Sequence, residues 1–311
     1  MSSILTNVSA MNAVSSLTAT QNALSETQNQ ISTGLAVSSA KDNASYWSIA
    51  TSMRSDVGAL AAVGDSINLG SSVVSTAYQA ISSSISILNQ MKNLLVDAQT
   101  AGQDTTTIDT QLQQLQQQLR TFANTATFNG VNLLATSSTA SENVVTSFSK
   151  NSSGIDTVGF TDISLGQALY STANGVQGDT SYTGSGILDS ASTVTGYSID
   201  NLEVGSAGTA GSDAATGTYL ADEQNQVESA IASLTTAAST LGSVLSNLTA
   251  QGTFTTSLSS SLTSGVGSLV DADMNQASTR LNALQTQQQL GIQSLSIANQ
   301  NSQLILKLFG G

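Results

Sequence analysis

The 311-residue chain carries a net charge of −13 and contains no His, no Cys and no Pro. Without His and Cys it cannot build most acid–base, thiol or zinc sites, and its negative charge disfavours nucleic acid as a partner. We therefore expect a protein that is not an enzyme and that uses no cofactor or metal. Only 9% of the residues are charged, a composition that suits close packing of identical copies.

The beginning of the chain, Met1–Thr6, has neither the basic region nor the apolar region of a cleaved secretory signal. No run of the sequence approaches ~20 apolar residues. We expect no membrane insertion. We also expect any export of the protein to use a route that recognises an uncleaved segment.

The first predicted helix is amphipathic and almost uncharged, because residues 1–33 contain the single charge Glu26. Such a helix is marginally stable alone in water. Because its polar face carries almost no charge, the helix is suited to burial in a polymer interface. An ordinary core helix of a monomer is the alternative. The stripe comprises Ile4, Val8, Met11, Val14, Leu17, Leu24 and Ile31.

A break follows this helix at Gly34, which can adopt the left-handed conformation that ends helices. Ser39 or Asp42 can then cap the next helix. The only Trp of the chain, Trp47, is predicted to anchor packing. Arg54 is one of only seven cations, so we expect it to form an ion pair within or between subunits.

The second predicted helix holds a 3.5-residue apolar repeat over five heptads, which is typical of a long coiled-coil-like helix. A turn near residues 101–104 leads to a third helix, and Asn129-Gly130 predicts a hairpin turn before a strand at 131–134. The apolar repeats are Val57, Leu60, Ile67, Val74, Tyr78, Ile81, Ile85, Leu88 and Leu95 in the second helix, and Ile108, Leu112, Leu115, Leu119, Phe122 and Ala126 in the third.

The middle of the chain, residues 135–224, differs in composition. It contains ten acidic residues, one basic residue and twelve of the 25 glycines. Short runs at 144–148 and 197–204 predict β-strands between turns. We interpret this zone as an acidic, solvent-facing module that contains β-structure.

Heptads resume after residue 225 and predict a helix that packs antiparallel to the two earlier long helices. A second, nearly uncharged amphipathic helix ends the chain. Between them, Asp271 and Asp273 could be taken for a metal-binding pair, but a helix start is the better interpretation. The two stripes are Val227, Ile231, Leu234, Ala238, Leu241, Leu245 and Leu248, then Leu281, Leu284, Gly291, Leu295, Ala298, Ile305 and Phe309.

Three segments, 31–50, 128–134 and 283–310, resemble motifs of bacterial flagellins and occur in the same order. The sequence around Tyr46-Trp47 is similar to that of alphaproteobacterial flagellins. The resemblance covers roughly 1–135 and 225–311. It implies a mainly α fold in which both chain ends form a long coiled-coil-like bundle, with a β-hairpin and a small β-containing outer domain. The implied domains are terminal helices (1–40 and 270–311), an intermediate helical domain (41–135 and 225–269) and a variable outer domain (136–224).

The resemblance also implies a structural subunit that polymerises with its own copies into the extracellular flagellar filament, for swimming motility. Implied partners are the flagellar type III export apparatus, an export chaperone, a cap protein and hook-associated proteins. A hook–filament junction protein of the same architecture and an unrelated secreted coiled-coil adhesin are the alternatives. The residues expected at the polymer interface are Leu17, Leu24, Ile31, Leu35, Asp42, Arg54, Leu284, Leu295, Ile305 and Phe309.

One further stretch concerns the Toll-like receptor for flagellin. In the flagellins that the receptor detects, the helix corresponding to Leu88–Ala98 presents an Arg-x-Arg-Glu run. Here Gln90, Lys92 and Asn93 occupy the three defining positions. Because neither Gln nor Lys reproduces the planar fork of Arg, we expect the monomer to escape this receptor. The alternative is that Gln90 serves only contacts within the filament itself.

Overall fold

The computed structural model describes residues 7–100, 103–135, 141–150, 156–165, 167–170, 186–190, 198–204 and 213–309, with backbone alone at 213–218 and 301–309. The fold is mainly α, as the sequence predicts. Its elements are α1 (Val8–Thr33), α2 (Ala44–Ala98), α3 (Thr105–Thr125), β1 (Thr127–Phe128), β2 (Val131–Asn132), β3 (Ser141–Lys150), β4 (Asp156–Ser164), a short 3-10 helix (Ile199–Asn201), α4 (Asp213–Val270) and α5 (Met274–Phe309).

The chain divides into two compact units. The terminal unit comprises Met1–Gly58 and Ser259–Gly311, and the central unit comprises Ala59–Leu258. α2 and α4 therefore contribute residues to both units. Among the described helices, α2 is long and apolar enough to cross a membrane by length and composition, a property that the core helices of soluble proteins also have.

In the terminal unit, α1 and α5 pack side by side in opposite directions. Asn7 Nδ2 donates a hydrogen bond to the carbonyl of Ala298 (3.0 Å). Leu17 covers Gly291, where an added Cβ would lie 3.3 Å from Leu17 Cδ1. Residues further along α1 contact residues nearer the start of α5, so the two helices are antiparallel. A Cβ at position 291 would require the end of the Leu17 side chain to shift.

The central unit is a helical bundle with one continuous apolar core. α2 and α4 run antiparallel, because Lys92 lies beside Glu228 at one level and Ile67 lies beside Gly252 at another. Most positions of the heptad stripes predicted from sequence face this core, but Tyr78 of α2 is 42% exposed. Among its buried members are Ile67, Val74, Ile81, Leu88 and Leu95 of α2, Leu112 and Leu119 of α3, and Leu234, Leu241 and Leu248 of α4.

The predicted hairpin after α3 is confirmed. Asn129 and Gly130 both have positive φ, 50° and 83°, as a two-residue turn of mirror-image type requires. β1 and β2 pair antiparallel on either side, with Phe128 opposite Val131. The strand is shorter than the predicted 131–134. Asn132 Oδ1 accepts hydrogen bonds from the N–H groups of Leu134 (2.8 Å) and Ala135 (3.0 Å), and this turns the chain away.

β3 and β4 form a second antiparallel hairpin, which confirms the strand predicted at 144–148. Val144 of β3 fits against Gly70 of α2, where an added Cβ would lie only 2.5 Å from Val144 Cγ2. Glycine at position 70 therefore allows the hairpin to contact the helix directly.

The strand predicted at 197–204 is wrong. Its described part, 198–204, forms a 3-10 turn and extended chain that lies against α3. Gln116 Nε2 donates to the carbonyls of Ile199 (3.2 Å) and Leu202 (3.0 Å), and an Asp109 carboxylate oxygen accepts from Val204 N–H. Side chains of α3 thus satisfy backbone groups that a sheet neighbour would otherwise have to satisfy.

Candidate assembly surface

The turn between α1 and α2 is bound to the segment that joins α4 and α5. Gly34 has φ 72° and ends α1 in the left-handed conformation, as predicted. Leu35 forms an antiparallel bridge with Asp271, and Ala36 N–H donates to the carbonyl of Val270 (2.7 Å). Leu35, expected at the polymer interface, is thus half-buried inside its own unit.

Asp42 organises this turn. Its Oδ2 accepts hydrogen bonds from the backbone N–H and the hydroxyl of both Ser38 and Ser39, at 2.9 to 3.1 Å. The backbone bond from Ser39 and the hydroxyl bonds hold the pKa of Asp42 below its ordinary value. The predicted helix cap is corrected, because Asn43 Oδ1 accepts from the N–H groups of Ser45 (3.1 Å) and Tyr46 (3.2 Å) at the start of α2.

The expected interface residues of α1 and α5 are distributed over different environments. Leu284 is buried, and the side chains of Ile305 and Phe309 lie outside the described residues. The remaining ones are half-buried in the monomer, so part of their surface is used by packing within the subunit: Leu17, Leu24, Ile31 and Leu295.

The apolar surface that stays open in the terminal unit is provided by other residues of the same two helices. On α1, Met11 is 65% exposed. On α5, Ile297 is 59% exposed. Large apolar side chains left open in a row are typical of surfaces that a partner covers. They are Val8, Met11 and Val14 on α1, and Leu290, Ile292 and Ile297 on α5. The helical stripe included those of α1 and omitted those of α5, because Leu290 and Ile297 lie on a different face of α5 from the stripe and Ile292 lies at its edge.

The first turns of α2 present a further open surface. Tyr46, Trp47 and Ile49 are all exposed, whereas Ala50 and Met53 pack against the small apolar cluster formed with the end of α4. The predicted packing role of Trp47 is therefore not fulfilled within the described monomer. Arg54 is exposed on the same helix.

Of the pair Asp271 and Asp273, Asp273 caps the start of α5, in agreement with the helix start favoured from sequence. Asp273 Oδ1 accepts from the N–H groups of Asn275 (2.9 Å) and Gln276 (3.2 Å), which is a helix cap. Asp271 forms the bridge with Leu35. In the part of the chain that the structure describes, no group of three or more acidic residues is placed to hold a metal ion.

The stretch related to receptor recognition lies on the outer side of α2 in the central unit. Gln90 and Asn93 are exposed. Lys92 is half-buried and forms an ion pair with Glu228 of α4, with Nζ 3.2 Å from Oε2. The one cation in the stretch is therefore already engaged within the subunit.

The central unit also buries charged groups that sequence patterns did not indicate. Arg120 binds Asp200 through two contacts, Nε to Oδ1 at 2.6 Å and Nη2 to Oδ2 at 2.5 Å. Burial raises the pKa of Asp200 despite this partner, and burial followed by the nearby Asp200 charge raises the pKa of Tyr170 well above its ordinary value.

Glu223 of α4 is fully buried. Burial raises its pKa to about 8, the nearby Tyr219 hydroxyl opposes the rise, and the nearby carboxylates of Asp109, Asp222 and Glu203 add to it. Below that pH the side chain is neutral. This group lies in the core and takes no part in the open surface of the terminal unit.

Two long end helices that leave apolar side chains open, in a chain that also has a heptad-packed helical unit, define a subunit suited to assembly with copies of itself. Comparison with known proteins identifies the family. Residues 4–139 match the bacterial flagellin N-terminal helical region, and residues 225–309 match the bacterial flagellin C-terminal helical region. The chain belongs to the bacterial flagellin family.

Full-length relatives agree with this assignment. Flagellin C of Rhizobium meliloti is 40% identical over 99% of both chains. A flagellin of Brucella melitensis is 42% identical over the whole of both chains, and flagellin A of Rhizobium meliloti is 36% identical over 99% of this chain and all of its own length. The predicted family, its alphaproteobacterial type and the fold class are confirmed.

Proposed function

We propose that this chain is the structural subunit of an extracellular flagellar filament used for motility, and that the terminal unit is the part through which copies polymerise. The name flagellin, shared by the relatives, supports a filament subunit over a junction protein or an adhesin. One structural observation carries the proposal. The apolar side chains of α1 and α5 stand open on a surface that has almost no charge.

The experiment compares exposed apolar residues of the two units. Changing Val8, Met11 and Val14 together to Ser should leave the monomer folded, because all three are exposed, and circular dichroism of the variant checks this. Covering each side chain in a polymer contributes up to about 1.5–3 kcal/mol, so the triple variant should raise the critical concentration for seeded polymerisation more than a hundredfold. The control is Phe160→Ser, since Phe160 is 62% exposed in the central unit.

Sedimentation of seeded polymer measures the critical concentration, and electron microscopy checks the product. If the triple variant polymerises like the unchanged chain, this surface does not carry assembly. If the unchanged chain forms no filaments, the filament function itself is contradicted. Copy number separates the remaining alternatives, because a filament uses thousands of copies and a junction uses about one ring.

We include in this proposal the residues that the sequence analysis expects at the polymer interface. Half-buried members such as Leu17 and Leu295 would position α1 and α5 in the subunit while their open sides meet neighbours. Ile305 and Phe309 would extend the surface towards the chain end. The two family matches leave residues 140–224 uncovered, which supports a variable outer domain at 136–224. The bounds of the terminal helices (1–40 and 270–311) and of the intermediate domain (41–135 and 225–269) stay predictions.

The outer-domain proposal has a direct test. Replacing residues 171–185 with a Gly/Ser linker should preserve filament formation, since periodicity and low charge place the assembling surface elsewhere. The replacement keeps Ile163, Leu169 and Leu188, which are buried in the core of the central unit. It also keeps 198–204, because those residues bind α3 through Gln116 and Arg120. A folded variant that forms no filaments would show that the polymer requires outer contacts.

We also propose export through the flagellar type III apparatus, with a chaperone on α5 before assembly and with cap and hook-associated proteins at the filament end. The family relationship supports these partners. The absence of His and Cys and the structural role of the family support a subunit without catalytic activity. The charge of −13 supports the expectation that no nucleic acid binds.

Escape from the flagellin receptor is the last part of the proposal. Gln90 and Asn93 lack the charges of the recognised run, and Lys92 is bound to Glu228. Loss of one Arg anchor weakens a contact by about 2 kcal/mol, or roughly thirtyfold. The purified monomer should be silent in a reporter-cell assay, and a Gln90→Arg, Lys92→Arg, Asn93→Glu variant should signal more strongly. Strong signalling by the unchanged monomer at nanomolar concentration would contradict the proposal.

A further inference from the structure

Charge is distributed very unequally between the two units. By sequence, the terminal unit has five acidic and four basic residues, a net charge of −1, whereas the central unit has fifteen acidic and three basic residues, a net charge of −12. Copies of the nearly neutral unit can approach closely, and copies of the acidic unit repel one another. The four cations of the terminal unit are Lys41, Arg54, Arg280 and Lys307.

The cations of the two units also differ in their partners. In the central unit, every one has a carboxylate within 4 Å, namely Lys92 with Glu228 (3.2 Å), Arg120 with Asp200 (2.5 Å) and Lys150 with Asp156 (3.7 Å).

In the terminal unit, the three cations whose side chains the structure describes have no carboxylate within that distance among the described residues, and all three are exposed: Lys41, Arg54 and Arg280. Two acidic neighbours are already committed elsewhere, because Asp42 binds the serines of its turn and Asp273 caps α5.

Arg54 has an aromatic residue on the same face of its helix. It lies seven residues after Trp47, which is two turns or about 10 Å along α2. Trp47, the only Trp of the chain, remains 38% exposed, and Tyr46 and Ile49 beside it are exposed as well. Trp, Tyr and Arg are the residue types that most often dominate the energy of protein interfaces.

We propose that the face of α2 carrying Trp47 and Arg54 is a contact between copies, in which the Arg54 guanidinium binds a carboxylate of a second copy and Trp47 packs beside that pair. The inference rests on the proposed polymerisation. A polymer that covered Arg54 without a partner would bury an uncompensated charge. The planar guanidinium holds a carboxylate in one orientation, so the pair fixes the register between copies as well as joining them.

The first test changes the charge at position 54. Arg54→Glu should raise the critical concentration for seeded polymerisation at least tenfold, and Arg54→Lys, which keeps the charge but not the fork, should raise it less. Both monomers should keep the circular-dichroism melting curve of the unchanged chain, because the side chain is exposed and unpaired among the described residues. Lys150→Glu, a cation of the central unit, is the control and should polymerise normally.

Assembly of the Arg54→Glu variant at the ordinary critical concentration would overturn the inference. Failure of the unchanged chain to polymerise would contradict the proposed function instead, so the two results are distinguishable.

The second test identifies the partner. Equal amounts of ¹⁴N- and ¹⁵N-labelled Arg54→Lys subunits are polymerised together at a concentration above that variant's own threshold, and treated with a carbodiimide that links an amine to a contacting carboxylate. Mass spectrometry should find mixed-isotope cross-links from residue 54 to an acidic residue. Cross-links from other lysines, such as Lys41, with none from residue 54 would overturn the inference.

Discussion

The burial of Glu223 should make the central unit less stable as the pH rises. The side chain is fully buried, and its pKa is raised from the ordinary 4.5 to about 8 by burial and by the carboxylates of Asp109, Asp222 and Glu203. Below pH 4.5, the folded and unfolded chains both hold the proton. Between pH 4.5 and 8, the unfolded chain has released it while the folded chain keeps it, so the free energy of unfolding falls across this window.

The magnitude follows from the size of the pKa change. One pH unit corresponds to 1.36 kcal/mol, so a rise from 4.5 to about 8 makes ionised Glu223 cost at most about 5 kcal/mol in the folded chain. Glu223→Gln removes the titration and keeps nearly the same shape. Relative to the unchanged chain, this variant should gain several kcal/mol of stability between pH 5 and pH 9.

Denaturant unfolding followed by circular dichroism at each pH measures this difference. The fluorescence of Trp47 follows the terminal unit in the same samples and should not change with the substitution. Glu228→Gln is the matched control, because Glu228 lies on the same helix with a 66% exposed side chain and an exposed carboxylate contributes little. Equal pH dependence in the unchanged chain and the Glu223→Gln variant would refute the argument.

Two further changes test packing in the central unit. Gly70→Ala places a Cβ 2.5 Å from the Val144 side chain and should destabilise the unit by about 1–3 kcal/mol. Gly64→Ala meets open space and should stabilise α2 by up to about 1 kcal/mol. Thermal melting that ranks the two variants in the opposite order would contradict this packing. Arg120→Ala leaves the Asp200 carboxylate buried without its charge partner and should lower the free energy of unfolding by about 3–5 kcal/mol. The double variant Arg120→Met, Asp200→Leu should largely recover this loss. Equal losses in the single and double variants would show that the ion pair is not the cause.

Features that depend on local chemistry and periodicity could be predicted from the amino-acid sequence. A 3.5-residue apolar repeat can be buried continuously only by a helix, so most positions of the stripes of α2, α3 and α4 lie in the core as predicted, with Tyr78 of α2 an exposed exception. Asn129 and Gly130 tolerate positive φ and Gly34 ends α1 for the same reason. These outcomes require only the conformational preferences of residues close together in the chain.

The tertiary structure alone decided which elements satisfy or cover one another across long separations. Residues 198–204 have the composition of a strand, but Gln116 and Arg120, more than 70 residues away, bind them against α3. Glu223 has no mark in the sequence that distinguishes it from Glu228, yet only Glu223 is enclosed. Trp47 is apolar enough for a core and still lies open, because burial depends on which surfaces meet, and a periodic pattern specifies the buried face of a helix without specifying its partner.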